Sequence, residues 1–397
     1  MKTKSLNLLI EINNLDFIFV VVEKIDDNYS KIIFKENIPI QGIKNNLIID
    51  YNLILKIFKE KIYSLEQNLD FIFKEAIIII DNFNYSLISF SGFKKLNGSQ
   101  LLKENITYIL NFLKSQINEI ENRKTILHIF NTKFTLDDKE MVNLPIGLFG
   151  NFYYHELSFF LLDNNDYNNL KKVLSECNLK IKKIISKNFV EGATLIKSDT
   201  NLNDLFKIEI SEDYSKVTFI ENSSLKYIQD FKFGSNLIIK DISKITGLNI
   251  DLIKNILINS DFSEKNLEEL VEKNFFKDNN YRKISKKLII DVAKARIEEL
   301  SEIILFKNIN TKFFLEKKTP IFLKINDSLI LQKFNDSFKL FFSYKDDCSL
   351  KIIDHDEVEN FYNNANDIVQ FGWKKEAVPI ILEKRSILAR LFSFLFD

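Results

Sequence analysis

Glycine is scarce in this chain, with nine residues in 397, against a usual share of about 7%. Loops that wrap a phosphate with bare backbone rely on glycine, so a glycine-rich phosphate cradle has little to be made from. Cysteine occurs twice, at Cys177 and Cys348. That excludes a disulfide framework and a cysteine-rich metal site, and fits a reducing compartment. Neither cysteine has a sequence-local setting for catalysis, so both read as buried thiols. The three histidines, His128, His155 and His355, show no metal-ligand spacing and read as structural. Net charge is absent, 55 Lys+Arg against 55 Asp+Glu, which removes the global basic field that nucleic acid requires. No apolar run reaches the ~18 residues of a membrane span. Glu11 and Asp16 interrupt the apolar residues 1–22, which argues against a signal peptide. A Walker loop, a nucleophile elbow and zinc spacing are all missing.

What remains is an ordinary globular balance, 46% apolar and 28% charged, in a chain long enough for about two to four domains. Leu8–Ile12 and Phe17–Val22 read as strands of a hairpin around Asn13 and Asn14, since asparagine tolerates turn conformations. Leu53, Ile57, Ile62 and Leu65 recur at helical spacing within Asp50–Asn68, and Ala76–Ile80 follows as a buried strand. Ser99 is placed to cap a helix running to Ile120. Thr125–Phe134, Asn151–Leu161 and Ile181–Ser186 read as strands, with a helix near Tyr167–Cys177. The polar stretch Lys197–Asp204 reads as a linker. After it a second hairpin opens, Phe206–Ile210 and Lys216–Ile220, about 200 residues beyond the first. Ser260–Arg282 is charged and helical in pattern, Lys286–Phe306 reads as a long helix, and Ile321–Leu323 and Leu329–Leu331 as strand edges. Two strand–helix halves, each opening with a hairpin, give an α/β chain.

Several blocks carry a resemblance. Gln41–Asp50 holds a Gly and a terminal Asp. Ile126–Phe130, Phe134–Asp137 and the Pro-Ile-Gly block Leu144–Gly150 follow in order, then Leu288–Leu300 with Arg296 and Glu299. Taken alone, Leu144–Gly150 is a tight turn. In this order the blocks resemble FtsA, the actin-like bacterial cell-division family, over nearly the whole chain. The resemblance implies an actin-like (ribonuclease H-like) two-lobed fold with an inserted α+β subdomain of SHS2 type. Residues 1–84 and 182–198 would form the first lobe and 85–181 the insert. Residues 199–245 and 308–378 would form the second lobe, 246–307 its partner-binding subdomain, and 380–397 a membrane-targeting helix.

The resemblance also implies a site for ATP and Mg, held by two hairpins, a third loop and a carboxylate. The residues that match are Glu11, Asn13 and Asn14; Glu209 and Ser211; Gly234 and Ser235; Arg296 and Glu299; Asn326 and Asp327. They depart from the family's pattern. Asp-Ile-Gly-Thr-Thr-Lys becomes Glu11–Asp16, without glycine and with Asp16 in place of lysine. Asp-Ile-Gly-Gly-Gly-Thr-Thr-Asp becomes Glu209–Lys216, with Glu212 and Asp213 replacing glycines. The third glycine run becomes Ile325-Asn326-Asp327. Two like charges ~4 Å apart repel by about 1 kcal/mol in water and about 4 at an effective dielectric of 20, so Glu212 and Asp213 disfavour a polyphosphate. Glu11 and Glu209 read either as metal-holding carboxylates or as solvated turn carboxylates. A degenerate pocket with little or no ATP binding and no useful hydrolysis is expected, and no catalytic residue or resident metal is assigned.

The C-terminus carries its own signal. At 100° per residue Ile387, Leu388, Leu391, Phe392, Phe394, Leu395 and Phe396 fall within an arc of about 200°. Ser386, Arg390, Ser393 and Asp397 take the other side, and Lys384 and Arg385 flank the start and can snorkel. Such a helix lies in the membrane plane, or else packs on its own domain. The resemblance favours the membrane. Arg282, Lys283, Lys286 and Lys287 form a basic cluster, either a solvated helix face or, by the resemblance, part of the surface that binds the tail of the tubulin-like FtsZ. Trp373, after Gly372, reads as core or as a domain-closing anchor. Together these features predict a peripheral adaptor on the cytoplasmic face of the bacterial inner membrane at the division septum. It would bind FtsZ, lipid and later division proteins, self-associate into protofilaments, and bind no nucleic acid. The alternatives are an actin-like ATPase and a pilus-assembly adaptor.

Overall fold

The computed structural model describes residues 5–25, 30–44, 47–81, 83–199, 201–276, 281–312, 314–315, 319–343, 349–353 and 360–377. The expected membrane helix at 380–397, with Lys384, Arg385, Ile387, Leu388, Leu391, Phe392, Leu395 and Phe396, lies outside the described residues, as do Cys348 and His355. The chain forms two compact units, Met1–Val190 with Tyr362–Asp397, and Glu191–Phe361. The stretch after Tyr362, part of the second lobe in the division the sequence suggests, therefore belongs to the first unit.

The first unit begins with β1 (Leu6–Ile12), β2 (Asp16–Lys24) and β3 (Ser30–Pro39), then the small β4 (Ile43–Lys44) and β5 (Leu47–Ile48). Asp50 accepts from the Leu53 amide at 3.0 Å and starts α1 (Tyr51–Leu69), as an N-cap aspartate does. Ile54, Phe58, Ile62 and Leu65 form its buried stripe. The Phe58 ring meets Phe17 and Phe19 edge-on at 5.3 Å each. Next comes β6 (Glu75–Ile80), and β11 (Lys180–Ser186) lies beside it. The sheet order is β11-β6-β1-β2-β3. β1, β6 and β11 run parallel, β1, β2 and β3 antiparallel. Burial on both faces explains the unbroken isoleucine run of β6.

Between β6 and β11 the chain builds β7 (Tyr85–Lys95), α2 (Lys103–Ile120), β8 (Lys124–Leu136), β9 (Lys139–Met141), β10 (Phe152–Asp163) and α3 (Asn164–Glu176). The four strands pair in the order β7-β10-β8-β9. Ile106, Ile109, Leu113 and Ile117 of α2 pack against Leu157, Phe159 and Leu161 of β10. Ser99 does not cap this helix. Its hydroxyl bonds the Leu96 carbonyl, and the helix starts later, where the Asn105 side chain accepts from the Leu102 amide at 2.9 Å.

The helix α4 (Lys187–Ser198) follows β11. The second unit contains β12 (Leu205–Ile210), β13 (Ser215–Glu221), β14 (Ser224–Phe231), α5 (Asn236–Thr246), α6 (Ile250–Asn259), α7 (Lys286–Ser301), β15 (Ile321–Ile325), α8 (Ser328–Phe342) and β16 (Leu350–Ile352). The helix α9 (Phe361–Phe371) leads back into the first unit. The sheet order β14-β13-β12-β15-β16 repeats that of β3-β2-β1-β6-β11, with the same parallel and antiparallel pairings. The long helix expected at 286–306 is present, its last turn a π-helix over Glu302–Phe306.

Two expectations fail here. Among its described residues Ser260–Arg282 holds only the short 3-10 turns Glu264–Asn266 and Lys273–Phe276. The Asp261 side chain takes the Ser263 amide at 2.8 Å and the Asn266 amide group at 2.7 Å, and Val271 bonds the Ile284 carbonyl at 2.8 Å. Side-chain and cross-strand bonds thus outcompete the helix. Leu329–Leu331 is not a strand edge but the start of α8, capped by Asp327, which accepts from Ile330 at 3.1 Å. Three apolar residues in a row do not distinguish strand from helix.

Candidate functional site

In the first unit, Glu11 is the penultimate residue of β1 and is buried, 3% exposed. It is not a solvated turn carboxylate. Lys187, at the start of α4, reaches Glu11 at 2.9 Å and Asp81 at 3.4 Å. The Tyr362 hydroxyl donates to Glu11 at 2.7 Å, and the side-chain amide of Asn13 donates to Glu11 at 3.1 Å. Asp81 follows β6 and is held in place by its own amide, which bonds the Ile12 carbonyl at 3.1 Å. The Asn13 side-chain oxygen accepts from the Leu15 and Asp16 amides, each at 2.8 Å. The Asn13 amide itself bonds the Asp16 carbonyl at 3.1 Å. Asn14 is exposed at the tip of this turn.

The second unit repeats the construction. Glu209, penultimate in β12, is also 3% exposed. Asn326 follows β15 as Asp81 follows β6, and its amide bonds the Ile210 carbonyl at 2.9 Å. Its side chain donates to Glu209 at 2.7 Å and to the Ser211 hydroxyl at 2.9 Å. Lys207, two residues before Glu209 and so on the same strand face, bonds Glu209 at 3.2 Å and pairs with Glu191. Lys324 lies 3.4 Å from Glu191. The loop holding Gly234 lies directly on the hairpin. A Cβ at Gly234 would stand 2.0 Å from the Ser211 carbonyl. The Ser235 and Asn236 amides bond the Ser211 and Glu212 carbonyls, each at 2.9 Å. Ser235 also donates to Asp327 at 2.7 Å.

These residues do not fit a metal–polyphosphate group. Backbone amides hold phosphate by pointing free N–H groups at it. Here the amides of Asn13, Leu15, Asp16, Ser211, Ser235 and Asn236 are bonded inside the protein. The cavity beside Lys207 and Lys324 measures about 30 Å³, room for about one water. Arg296 and Glu299, grouped with the nucleotide residues by the resemblance, pair instead with each other at 2.7 Å, and Arg296 pairs with Asp241 of α5 at 2.5 Å.

Half of the basic cluster is neutralised by carboxylates. Lys286 is buried, 1% exposed, and pairs with Glu272 at 2.8 Å and Glu269 at 3.2 Å. Lys287 pairs with Glu268 at 2.7 Å. Arg282 is exposed and bonds the Thr246 carbonyl at 3.1 Å, and Lys283 is exposed. Lys286 is therefore a structural cation, not a surface one. It stays charged because its carboxylate partners outweigh the effect of burial and hold its pKa above the usual lysine value.

A third polar cluster was not legible in the sequence. Residues 375–377 lie along β8. The Asn131 amide bonds the Lys375 carbonyl at 2.8 Å and the Ala377 amide the Ile129 carbonyl at 2.7 Å. Between them Glu376 turns inward to Lys183 at 2.8 Å and to His128 Nδ1 at 2.7 Å. The Ser186 amide reaches His128 Nε2 at 3.3 Å, so Nε2 accepts and Nδ1 carries the proton. Burial pushes the His128 imidazole below its usual range. Burial would raise the Glu376 carboxyl, but the bond from His128 and the charge of Lys183 bring it down to about 2. Trp373 packs edge-on against Phe189 at 6.0 Å.

No protein-family model matches the chain. Among curated proteins, the cell division protein FtsA of Buchnera aphidicola subsp. Acyrthosiphon pisum is 22% identical over 331 residues, 80% of this chain and 76% of that protein. FtsA of Neisseria meningitidis serogroup B is 20% identical over 300 residues, 75% and 72%. FtsA of Escherichia coli K12 is 18% identical over 238 residues, 60% and 56%. Among solved structures, the PilM–PilN type IV pilus biogenesis complex contains a chain that superposes with a TM-score of 0.51 at 9% identity, covering 94% of this chain and 99% of that one. The doubled sheet and these matches make the chain a divergent FtsA-like protein with an actin-like fold.

Proposed function

We propose that this protein is a cell-division adaptor of the FtsA kind, binding rather than turning over its ligands. The observation that carries the reading is the match to cell division proteins named FtsA over four-fifths of the chain. On this reading residues 384–396 lie flat in the cytoplasmic leaflet of the inner membrane. Each large apolar side chain that is fully buried contributes roughly 1.5–3 kcal/mol gross, and Lys384 and Arg385 each add about 1 kcal/mol near anionic lipid. The body holds the C-terminal tail of FtsZ through the second unit, where Arg282, Lys283 and Lys287 are exposed and Lys287 pairs with Glu268. It recruits later division proteins and self-associates into protofilaments at the septum.

Residues 375–377 bear on the tether. They are fixed to β8 by two backbone hydrogen bonds and by the buried Glu376, so the chain beyond them starts from a rigid point. The test is co-flotation of a labelled FtsZ tail peptide with anionic liposomes. The full chain should carry the peptide upward. A chain lacking residues 380–397 should still bind peptide in solution and stay at the bottom. Equal flotation of the two chains removes the tether, and absence of peptide binding by both removes the adaptor role.

A further inference from the structure

Each unit buries carboxylates at the end of its first strand, and each sends a lysine to them. Lys187 stands between Glu11 at 2.9 Å and Asp81 at 3.4 Å, both carboxylates almost wholly buried. Lys207 is itself 3% exposed and stands between Glu209 and Glu191. A lysine is seldom buried unless paired, and a buried carboxylate left without a counter-charge is strongly destabilising. We propose that Lys187 and Lys207 are built-in counter-cations. Each ammonium does between its carboxylates what a divalent metal ion would otherwise do, so each corner is complete without a bound metal–nucleotide.

The two corners reach this state independently. They draw the lysine from different elements, the start of α4 in one and the first strand itself in the other. They also differ in the residue that follows the neighbouring parallel strand. In the first unit it is Asp81, which adds a second negative charge. In the second it is Asn326, which donates a hydrogen bond to Glu209. Hard divalent ions bind carboxylate oxygens at about 2.0–2.6 Å, and the Lys187 nitrogen takes the position between two such oxygens. A tethered ammonium is permanently present and does not leave with a product. The amides of Asn13, Leu15, Asp16 and Ser211 beside the corners are already bonded within the protein, so they offer nothing to a phosphate. It follows that the folded state of each corner does not register nucleotide. This inference is independent of whether the chain binds lipid or FtsZ.

The test uses Lys187→Met and Lys207→Met in the full chain, read by thermal melting and by Mn²⁺ titration followed through the ion's electron-spin signal. The wild-type chain should show no Mn²⁺ binding and no rise in melting temperature with Mg·ATP. Lys187→Met should melt about 10 °C lower, bind Mn²⁺ at millimolar concentration, and regain most of the lost stability when it does. Lys207→Met should behave likewise and more weakly, because Lys324 remains near Glu191. The triple variant Lys187→Met/Glu11→Gln/Asp81→Asn, which removes the cation and both buried charges, should recover stability without Mn²⁺ and bind none. If Lys187→Met alone yields no folded chain, folding of the triple variant still supports the proposal, and its failure overturns it. A melting rise of the wild type with Mg·ATP overturns it as well. So does a Lys187→Met chain that is as stable as wild type or indifferent to Mn²⁺.

Discussion

Glu11 and Glu209 occupy the same place in two sheets of the same order, yet the turns beside them are closed by different means. In the first unit one side chain, that of Asn13, gathers the amides of the hairpin turn. In the second, a neighbouring loop lies on the hairpin and bonds its carbonyls, with Gly234 at the point of contact. A turn that has lost its glycines can satisfy its backbone with an asparagine or with another stretch of backbone. The second route needs a residue without a Cβ in the covering loop. The first unit alone also carries the Glu376 cluster, and among the described residues it alone contains histidine.

These differences are separable by experiment because the single tryptophan, Trp373, lies in the first unit. Its fluorescence follows that unit, whereas far-UV circular dichroism follows both. The largest effect is expected from Glu376→Ala, which strands a buried histidine beside a lysine and should cost about 3–5 kcal/mol. In urea the Trp373 signal should be lost well before the dichroism. Coincident, unshifted curves would mean that the cluster contributes nothing.

Acid should separate the units next. Burial pushes the His155 imidazole down to about 4, so the unfolded chain binds a proton near pH 6.5 and the folded chain does not. Its contribution is full above pH 6.5 and is lost as the pH falls toward 4, at about 1.4 kcal/mol per unit, or about 3 in total. His128 acts in the same direction. The Trp373 transition should therefore move to lower urea across that window, and His155→Gln should flatten the slope. A slope unchanged by the substitution would locate the sensitivity elsewhere.

Gly234→Ala should affect the second unit only, by about 1–3 kcal/mol from overpacking, visible in dichroism with the Trp373 transition unmoved. The smallest effect is expected from Asn13→Ala, about 1 kcal/mol, on the Trp373 transition alone. If Gly234→Ala and Asn13→Ala each shift both signals equally, the two turns are not closed independently.

Much of the frame could be read from the sequence because it rests on local pattern. Asp50 ahead of a helical stripe, the isoleucines of β6 and the two hairpins all declare themselves within a few residues. Ser260–Arg282 misled because charge spacing resembles a helix while Asp261 and Asn266 bond locally instead. Glu11 and Glu209 were visible as strand-end carboxylates. Their partners Lys187, Asp81, Tyr362 and Glu191 come from distant parts of the chain and leave no local trace. Lys207 did leave one, since Lys207 and Glu209, two apart in the otherwise apolar Leu205–Ile210, signal a buried pair. Lys286 looked like a surface cation because its glutamates lie more than ten residues upstream.

The attachment of residues 375–377 to β8 has a mechanical consequence. Any pull on the chain beyond Ala377 reaches two main-chain bonds to β8 and the ion pair of Glu376 with Lys183 of β11 before it reaches the interior of either sheet. A small patch, stiff but breakable, thus stands between load and body, and under strain it would give way before the fold behind it.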